Sequence, residues 1–353
     1  MKNGELWRLI SPETVDLKMN GLHHLSIGLA FKNDGHPETI RFPLVLARRG
    51  PGPIVLIFGG THGDEFEGQI AVSNLCREID LGKVHGTIGL VPFHNVAACQ
   101  AGTRLTPGDN SDLNRLYGVQ GGEGPAHTIA RFVESVLLPQ ADWVVDLHSG
   151  GAAHEFVPSS NLQASTNSIE LASMLDALLA FDAPYAIVFD EVPGTGPMPH
   201  AGTLEGLARA LGKKAISSEL GGGARITPTS RNVAEHGLRN LLAYIGVMTS
   251  ADAKRPEQSR SQLLLLNRPE HYVAAKSSGR FVPAVWLGEE VQEGDVLGVI
   301  NPLLDPAAPP EPILSSCAGI VAAVASRGLQ QANNLMFYVA EKLDRESART
   351  IGW

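Results

Sequence analysis

His62 and Glu65 stand in H-x-x-E spacing inside the stretch Phe58-Gly59-Gly60-Thr61-His62-Gly63-Asp64-Glu65-Phe66-Glu67-Gly68. An imidazole nitrogen and a carboxylate so placed can both reach one Zn²⁺ at roughly 2.0–2.2 Å across a turn. Two ligands do not hold a catalytic zinc, and a third is expected at another strand end. Trp143-Val144-Val145-Asp146-Leu147-His148-Ser149-Gly150-Gly151 supplies it, because His148 closes an apolar run against small residues that leave space. An isolated H-x-x-E is more often a polar turn. A second strand-end histidine shifts the balance to a metal site. Ala215-Ile216-Ser217-Ser218-Glu219 likewise ends in one carboxylate, beside three glycines. Buried there, Glu219 needs a partner, a nearby metal or a shifted pKa.

Residues this far apart share a pocket only if strand ends bring them together. Strand-like stretches at 54–58, 86–92, 142–147, 185–190 and 214–219 alternate with helix-like ones at about 65–78, 126–138, 167–181, 202–211 and 230–248. That alternation predicts an α/β fold whose mixed sheet has substantial parallel character and is covered on both faces by helices, and sites in such sheets lie at strand ends. Residues at about 20–50 read as a β-hairpin, with His23 and His24 as strand-face residues. The aperiodic segment 93–125 carries Arg104, Asp112, Asn114 and Arg115, and long loops of this kind are usually functional. Asp190, Glu191 and His200 belong to a stretch whose three prolines and two glycines between 191 and 201 predict a lid or specificity loop. Asp64 and Glu67 read as charges at a helix N-terminus.

The chain is expected to divide into a catalytic α/β domain (1–250), a charged, aperiodic linker (251–262) and an all-β domain (263–353). In the last, 279–300 and 319–340 look alike at an offset of 40 residues, which suggests a small β-sandwich or barrel.

A length of 353 residues with 43% apolar and 18% charged residues suits a globular protein with a large core. A net charge of −9 argues against nucleic acid as partner. The N-terminus lacks a basic-then-apolar leader and no long apolar run is present, so no membrane association and a cytoplasmic location are expected. Three widely spaced cysteines exclude a disulfide framework and a Cys-rich metal site.

Five ordered pieces, G-G-T-H-G-D-E at 59–65, T-R at 103–104, D-L-N-R at 112–115, D-L-H-S-G at 146–150 and S-E-L-G at 218–221, resemble the succinylglutamate desuccinylase/aspartoacylase family. These are zinc amidohydrolases of carboxypeptidase-like α/β fold. The resemblance implies one Zn²⁺ per subunit on His62, Glu65 and His148, and Glu219 as general acid/base. It further implies Arg104 as the group that polarises the scissile carbonyl, and Asn114 and Arg115 as the pair that grips the substrate carboxylate. Asp112 is then placed to orient a ligating histidine. The C-terminal domain is similar to the hammerhead or barrel-sandwich shape of lipoyl and biotinyl carriers, but 301–318 lacks their lysine, so a cover or oligomer surface is expected. A homo-oligomer acting on a small N-acyl amino acid follows from this reading. The whole chain looks most like the members that deacetylate Nα-acetyl-2,4-diaminobutyrate in ectoine degradation. N-succinylglutamate or N-acetylaspartate deacylation, a metallocarboxypeptidase, and a non-catalytic zinc protein are the competing readings.

Overall fold

Ile54–Gly59, Gly86–Val91 and Trp143–His148 are strands in which every residue is buried. Strands covered on both faces must be apolar throughout, so these runs show no alternation. The computed structural model describes residues 7–33, 35–163, 168–189, 202–250, 253 and 255–350. Within them Gly86–Val91, Ile54–Gly59, Trp143–His148 and Lys214–Glu219 lie side by side in that order, all parallel. Ser159–Gln163 follows antiparallel to Lys214–Glu219, and Tyr185–Phe189 and Gln262–Leu266 continue the sheet in parallel. On the other flank Gly21–Asn33 and His36–Arg49 form the expected long antiparallel pair, whose second strand joins Gly86–Val91.

Residues alternate between two cores, as successive side chains on a strand must. Val55, Ile57, Val145 and Leu147 pack with the helices Phe66–Glu78, Ser168–Phe181 and Pro228–Ile245. Leu56, Phe58 and Val144 pack on the opposite face with Leu25 and Phe42 of the antiparallel pair and with the helices Pro125–Phe132 and Leu204–Ala210. The 18-residue helix Pro228–Ile245 has a clear start and stop: Thr227 Oγ1 accepts from Ser230 N at 3.0 Å, Pro228 opens the first turn, and Gly246 closes it at φ 83°.

After 266 the texture changes to short strands. Glu311–Leu314, Val296–Asn301, Gly279–Pro283 and Leu329–Gln330 form a separate four-stranded sheet. Gly319–Ala325 and Leu335–Lys342 pair with each other, and the latter pairs with Gln262–Leu266, so they extend the large sheet. The two similar stretches share one apolar cluster containing Phe281, Leu297, Val321 and Phe337.

The segment 93–125 is more ordered than its lack of periodicity suggests. Asn95 Oδ1 caps a short helix, Val96–Ala101, and Asp112 Oδ1 caps the 3-10 turn Leu113–Arg115. Among the strands that escape sequence reading are His154–Phe156 and Ser159–Gln163. Asp190, Glu191 and His200 lie outside the described residues. No helix among the described residues is long and apolar enough to cross a membrane.

The chain leaves Ile54–Gly59 for a neighbour on one side, Gly86–Val91, and later fills the other side with Trp143–His148. The ends of those strands therefore flank a topological switch point, where open α/β sheets leave a crevice. Glycines let the next helix close against it. A Cβ on Gly68 would come within 2.6 Å of Leu147 O, and one on Gly59 within 2.6 Å of the Gly68 backbone.

Candidate functional site

His62 and Glu65 occupy the turn between Ile54–Gly59 and the helix Phe66–Glu78. His148 is the last residue of the neighbouring strand, in register with Glu219 on the strand beyond. All three of His62, Glu65 and His148 are buried, and one donor atom from each lies within 4.8 Å of the others. The geometry is directional. His62 Nδ1 lies 2.6 Å from Glu65 Oε1, and His148 Nδ1 lies 2.8 Å from Glu65 Oε2. Each ring is held from behind by another carboxylate: His62 Nε2 is 3.0 Å from Asp112 Oδ1, and His148 Nε2 is 2.8 Å from Asp146 Oδ2.

Two imidazole nitrogens converging on one carboxylate, each with its far nitrogen anchored, fit a small divalent cation such as Zn²⁺ in donor type and orientation. Asp112 thus stands behind His62, and Asp146, which sequence reasoning left in the middle of a motif, stands behind His148.

A buried chain continues from Asp146. Thr61 Oγ1 donates to Asp146 Oδ1 at 2.8 Å, His94 Nδ1 lies 2.9 Å from Thr61 Oγ1, and Tyr117 Oη lies 2.8 Å from His94 Nε2. Because the Thr61 hydroxyl spends its proton on the carboxylate, it must accept from His94 Nδ1–H, which leaves His94 Nε2 to accept from the tyrosine. A neutral ring satisfies this arrangement, and burial holds the His94 pKa down at about 4. His94 follows the Gly86–Val91 strand, the same strand-end address as the other histidines.

Glu219 lies beside this cluster with Oε2 buried and without a hydrogen-bond partner. Burial, reinforced by repulsion from Glu65, pushes its pKa up to about 8. For Glu65 the balance is reversed: burial opposes its charge, but His62 and His148 more than offset that and hold the pKa far below the carboxylate range. Two carboxyl groups with opposite shifts in one site are the usual sign of divided roles.

Arg104 binds Asp112 Oδ2 through Nη2 at 2.9 Å and Nε at 3.2 Å, while its Nη1 faces Glu65 Oε1 at 3.4 Å. Asn114 places Nδ2 3.4 Å from His148 Nε2 and accepts from Leu204 N at 2.9 Å. Arg104, Asn114, Arg115 and Glu219 line one cavity of about 320 Å³ with the His62 cluster. Tyr272, Leu335 and Tyr338, from beyond residue 262, close its far side.

The two acids read as charges at the helix N-terminus stand there, and both are buried. Asp64 Oδ2 accepts from Ala152 N at 2.8 Å. Burial raises the Glu67 pKa, although Ser149 and Ser230 stand close enough to offset it in part. Both point inward because the Phe66–Glu78 helix begins against the strand ends. Glu205 is a further acid in the cavity wall that the sequence did not single out.

Comparison with known proteins comes to the same region. The model of the succinylglutamate desuccinylase/aspartoacylase catalytic domain matches residues 51–245. A curated N-alpha-acetyl-L-2,4-diaminobutyric acid deacetylase from Halomonas elongata is 30% identical over 313 residues, 88% of this chain and 89% of that protein. Among solved structures, a succinylglutamate desuccinylase/aspartoacylase from Rhodobacter sphaeroides superposes with a TM-score of 0.85 at 30% identity, covering 94% of this chain and 98% of the other. The product-bound ectoine utilization protein EutE (DoeB) from Ruegeria pomeroyi gives a TM-score of 0.86 at 29% identity over 93% and 98%.

Proposed function

Since the chain belongs to the succinylglutamate desuccinylase/aspartoacylase family, enzymes acting on acyl amides, we propose that it is a zinc-dependent deacylase of N-acyl amino acids, with Nα-acetyl-2,4-diaminobutyrate as its substrate. The observation that carries this reading is the convergence of His62 Nδ1 and His148 Nδ1 on the Glu65 carboxylate beside the unpartnered Glu219 Oε2. His62, Glu65 and His148 would hold the metal, which when bound supplies Lewis-acid polarisation of water and of the acyl oxygen.

Glu219 takes a proton from the attacking water and returns it to the departing amine nitrogen. Burial raises the Glu219 pKa in the metal-free protein, and a bound divalent cation would lower it, so that the group is ionised to take the proton and basic enough to hold it until the amine leaves. Arg104, anchored through Nε and Nη2 on Asp112, points Nη1 toward the cluster and donates to the developing oxyanion. Arg115, supported by Asn114, presents a permanently charged planar fork suited to the α-carboxylate. Arg104→Ala is expected to lower kcat by about 10²–10³, the usual loss for one oxyanion donor, with a smaller change in KM. A loss confined to KM would place Arg104 in substrate binding instead.

Metal uptake should be coupled to proton release. Burial opposes a charge on His148, but Asp146 and Glu65 outweigh it and hold the ring's pKa well above the ordinary histidine value. The metal-free ring therefore carries a proton on Nδ1 that ligation must remove. Zinc binding near neutral pH is expected to release at least one proton per site, and affinity should fall as pH drops. Calorimetric titration of the metal-free protein in buffers of different ionisation enthalpy measures this directly. An uptake heat independent of buffer would mean that Nδ1 is already deprotonated.

The deciding experiment combines metal analysis with hydrolysis of N-acetyl and N-succinyl amino acids and of C-terminal peptides. Zinc at one per chain with turnover of N-acetyl amino acids is expected. Cleavage of peptides alone would make the enzyme a carboxypeptidase, and a zinc protein with no turnover would refute the deacylase.

A further inference from the structure

We propose that Glu205 is the residue that recognises a cationic side chain on the substrate, and so sets the enzyme's preference for an amine-bearing amino acid. This deepens the deacylase reading and rests on it for the orientation of substrate in the cavity.

The cavity wall is built in rungs. His148 and Glu219 are paired across adjacent strands, and Glu219 is paired in turn with Ser159. Two residues back along the same strands, Asp146, Ser217 and Asn161 form the next rung. Residues two apart share a face, so both rungs look into the same space. The step between them is roughly 6.5–7 Å, about the reach from the acyl carbon to the side-chain nitrogen of an extended acyl-diaminobutyrate. Glu205 stands on that second rung: Ser217 Oγ donates to its Oε2 at 2.9 Å and Gln163 N to its Oε1 at 3.2 Å.

Among the described residues, the acids lining the cavity are Glu65, Asp146, Glu219 and Glu205. Glu65 and Asp146 face the histidines and Glu219 is assigned to proton transfer, so Glu205 is the carboxylate there without a task. Its two donors are neutral. Arg209, one helical turn further on, is a cation that partly compensates Glu205 and uses Nη1 to donate to Gln163 O at 2.8 Å. Burial raises the Glu205 pKa despite these donors and despite Arg209. A second cation entering the cavity would therefore be stabilised by this wall, and an acidic side chain such as that of N-acetylaspartate would be repelled by Glu205 and Asp146 together.

The test uses zinc-loaded full-length enzyme with Nα-acetyl-2,4-diaminobutyrate, the neutral Nα-acetyl-2-aminobutyrate and N-acetylaspartate. Wild type should prefer the first, and Glu205→Gln, which keeps an acceptor oxygen for Gln163 N, lets its amide donate to Ser217 Oγ in place of the present bond and removes the charge, should lower its kcat/KM by about 10–100-fold while sparing the neutral substrate. Glu205→Asp should recover part of the preference. Calorimetric binding of 2,4-diaminobutyrate against 2-aminobutyrate gives a readout apart from turnover. Binding of the diamine that depends on Glu205 in an enzyme that turns over no amide would sink the deacylase reading and leave this one standing. Three results overturn the proposal: wild type favouring the neutral or acidic substrate, equal losses on cationic and neutral substrates in a variant of unchanged Tm, or diamine binding indifferent to the substitution.

Discussion

Glu219→Gln is expected to keep its zinc and lose about 10²–10⁴ in kcat, the range a positioned acid/base supplies. The amide matches the carboxyl group in shape but cannot carry the proton between water and leaving amine. Retained metal follows from the geometry, because the donor atoms that converge belong to His62, Glu65 and His148, and Glu219 enters from the next strand. Loss of zinc from the variant would show that Glu219 is a ligand. The same substitution has a second consequence in metal-free protein. The Glu219 pKa, raised by burial and by Glu65 to about 8, lies above the unfolded value, so between the unfolded pKa and about 8 the folded state binds more protons than the unfolded one. Stability from this group is present at low pH and is lost as pH rises through that window. Metal-free Glu219→Gln should accordingly match wild type near pH 5 and exceed it in Tm above pH 8. A parallel pair of Tm curves would remove burial of this carboxyl as the cause.

The parts of the fold and site that could be read from sequence are those where one local pattern states the environment. Trp143–His148 and Lys214–Glu219 are recognisable because an apolar run closed by a histidine or carboxylate means a buried strand with a polar end, and Ile54–Gly59 because its apolar run leads into a glycine-rich turn carrying His62. The residues that escape are those whose environment is made by distant partners. Ser159–Gln163 is Ser-Ser-Asn-Leu-Gln, too polar to read as a buried strand, and it becomes one only because Lys214–Glu219 and Tyr185–Phe189 cover it on both edges. Glu205 looks like an ordinary acid in a first helical turn, and its place in the cavity is set by Ser217 and Gln163. His94 and Tyr117 show no motif at all, because their tie to the site passes through Thr61 and Asp146. Glu67 is legible as a first-turn acid but its burial is not, because that follows from the helix start being pressed against strand ends.

His148→Ala is expected to do the opposite of the Glu219 substitution and lose the metal. Closed four-ligand zinc sites gain about 10–16 kcal/mol, so one protein ligand is worth about 2.5–4 kcal/mol, or roughly 10²–10³ in affinity. With two protein ligands left, the site should be empty at the zinc concentrations that load wild type, and turnover should fall to background. The argument is sharpened by what else the ring does. In the metal-free protein His148 sits between Glu65 and Asp146, and each of those buried carboxylates is held low in pKa by that ring and its neighbours against the cost of burial. Removing the imidazole leaves both acids less compensated, so metal-free His148→Ala should also unfold at lower temperature than metal-free wild type. Asp146→Asn separates the two effects. It keeps every atom that converges on the cation and weakens the anchor behind His148 together with the Thr61 contact, for which a loss of about 10–100-fold in metal affinity is expected. Metal content by mass spectrometry after dialysis, and kcat at saturating zinc, distinguish the cases: excess zinc should restore Asp146→Asn but not His148→Ala. Full restoration of His148→Ala by zinc would mean that the third ligand is not His148, and the assignment of the strand-end histidine would fall with it.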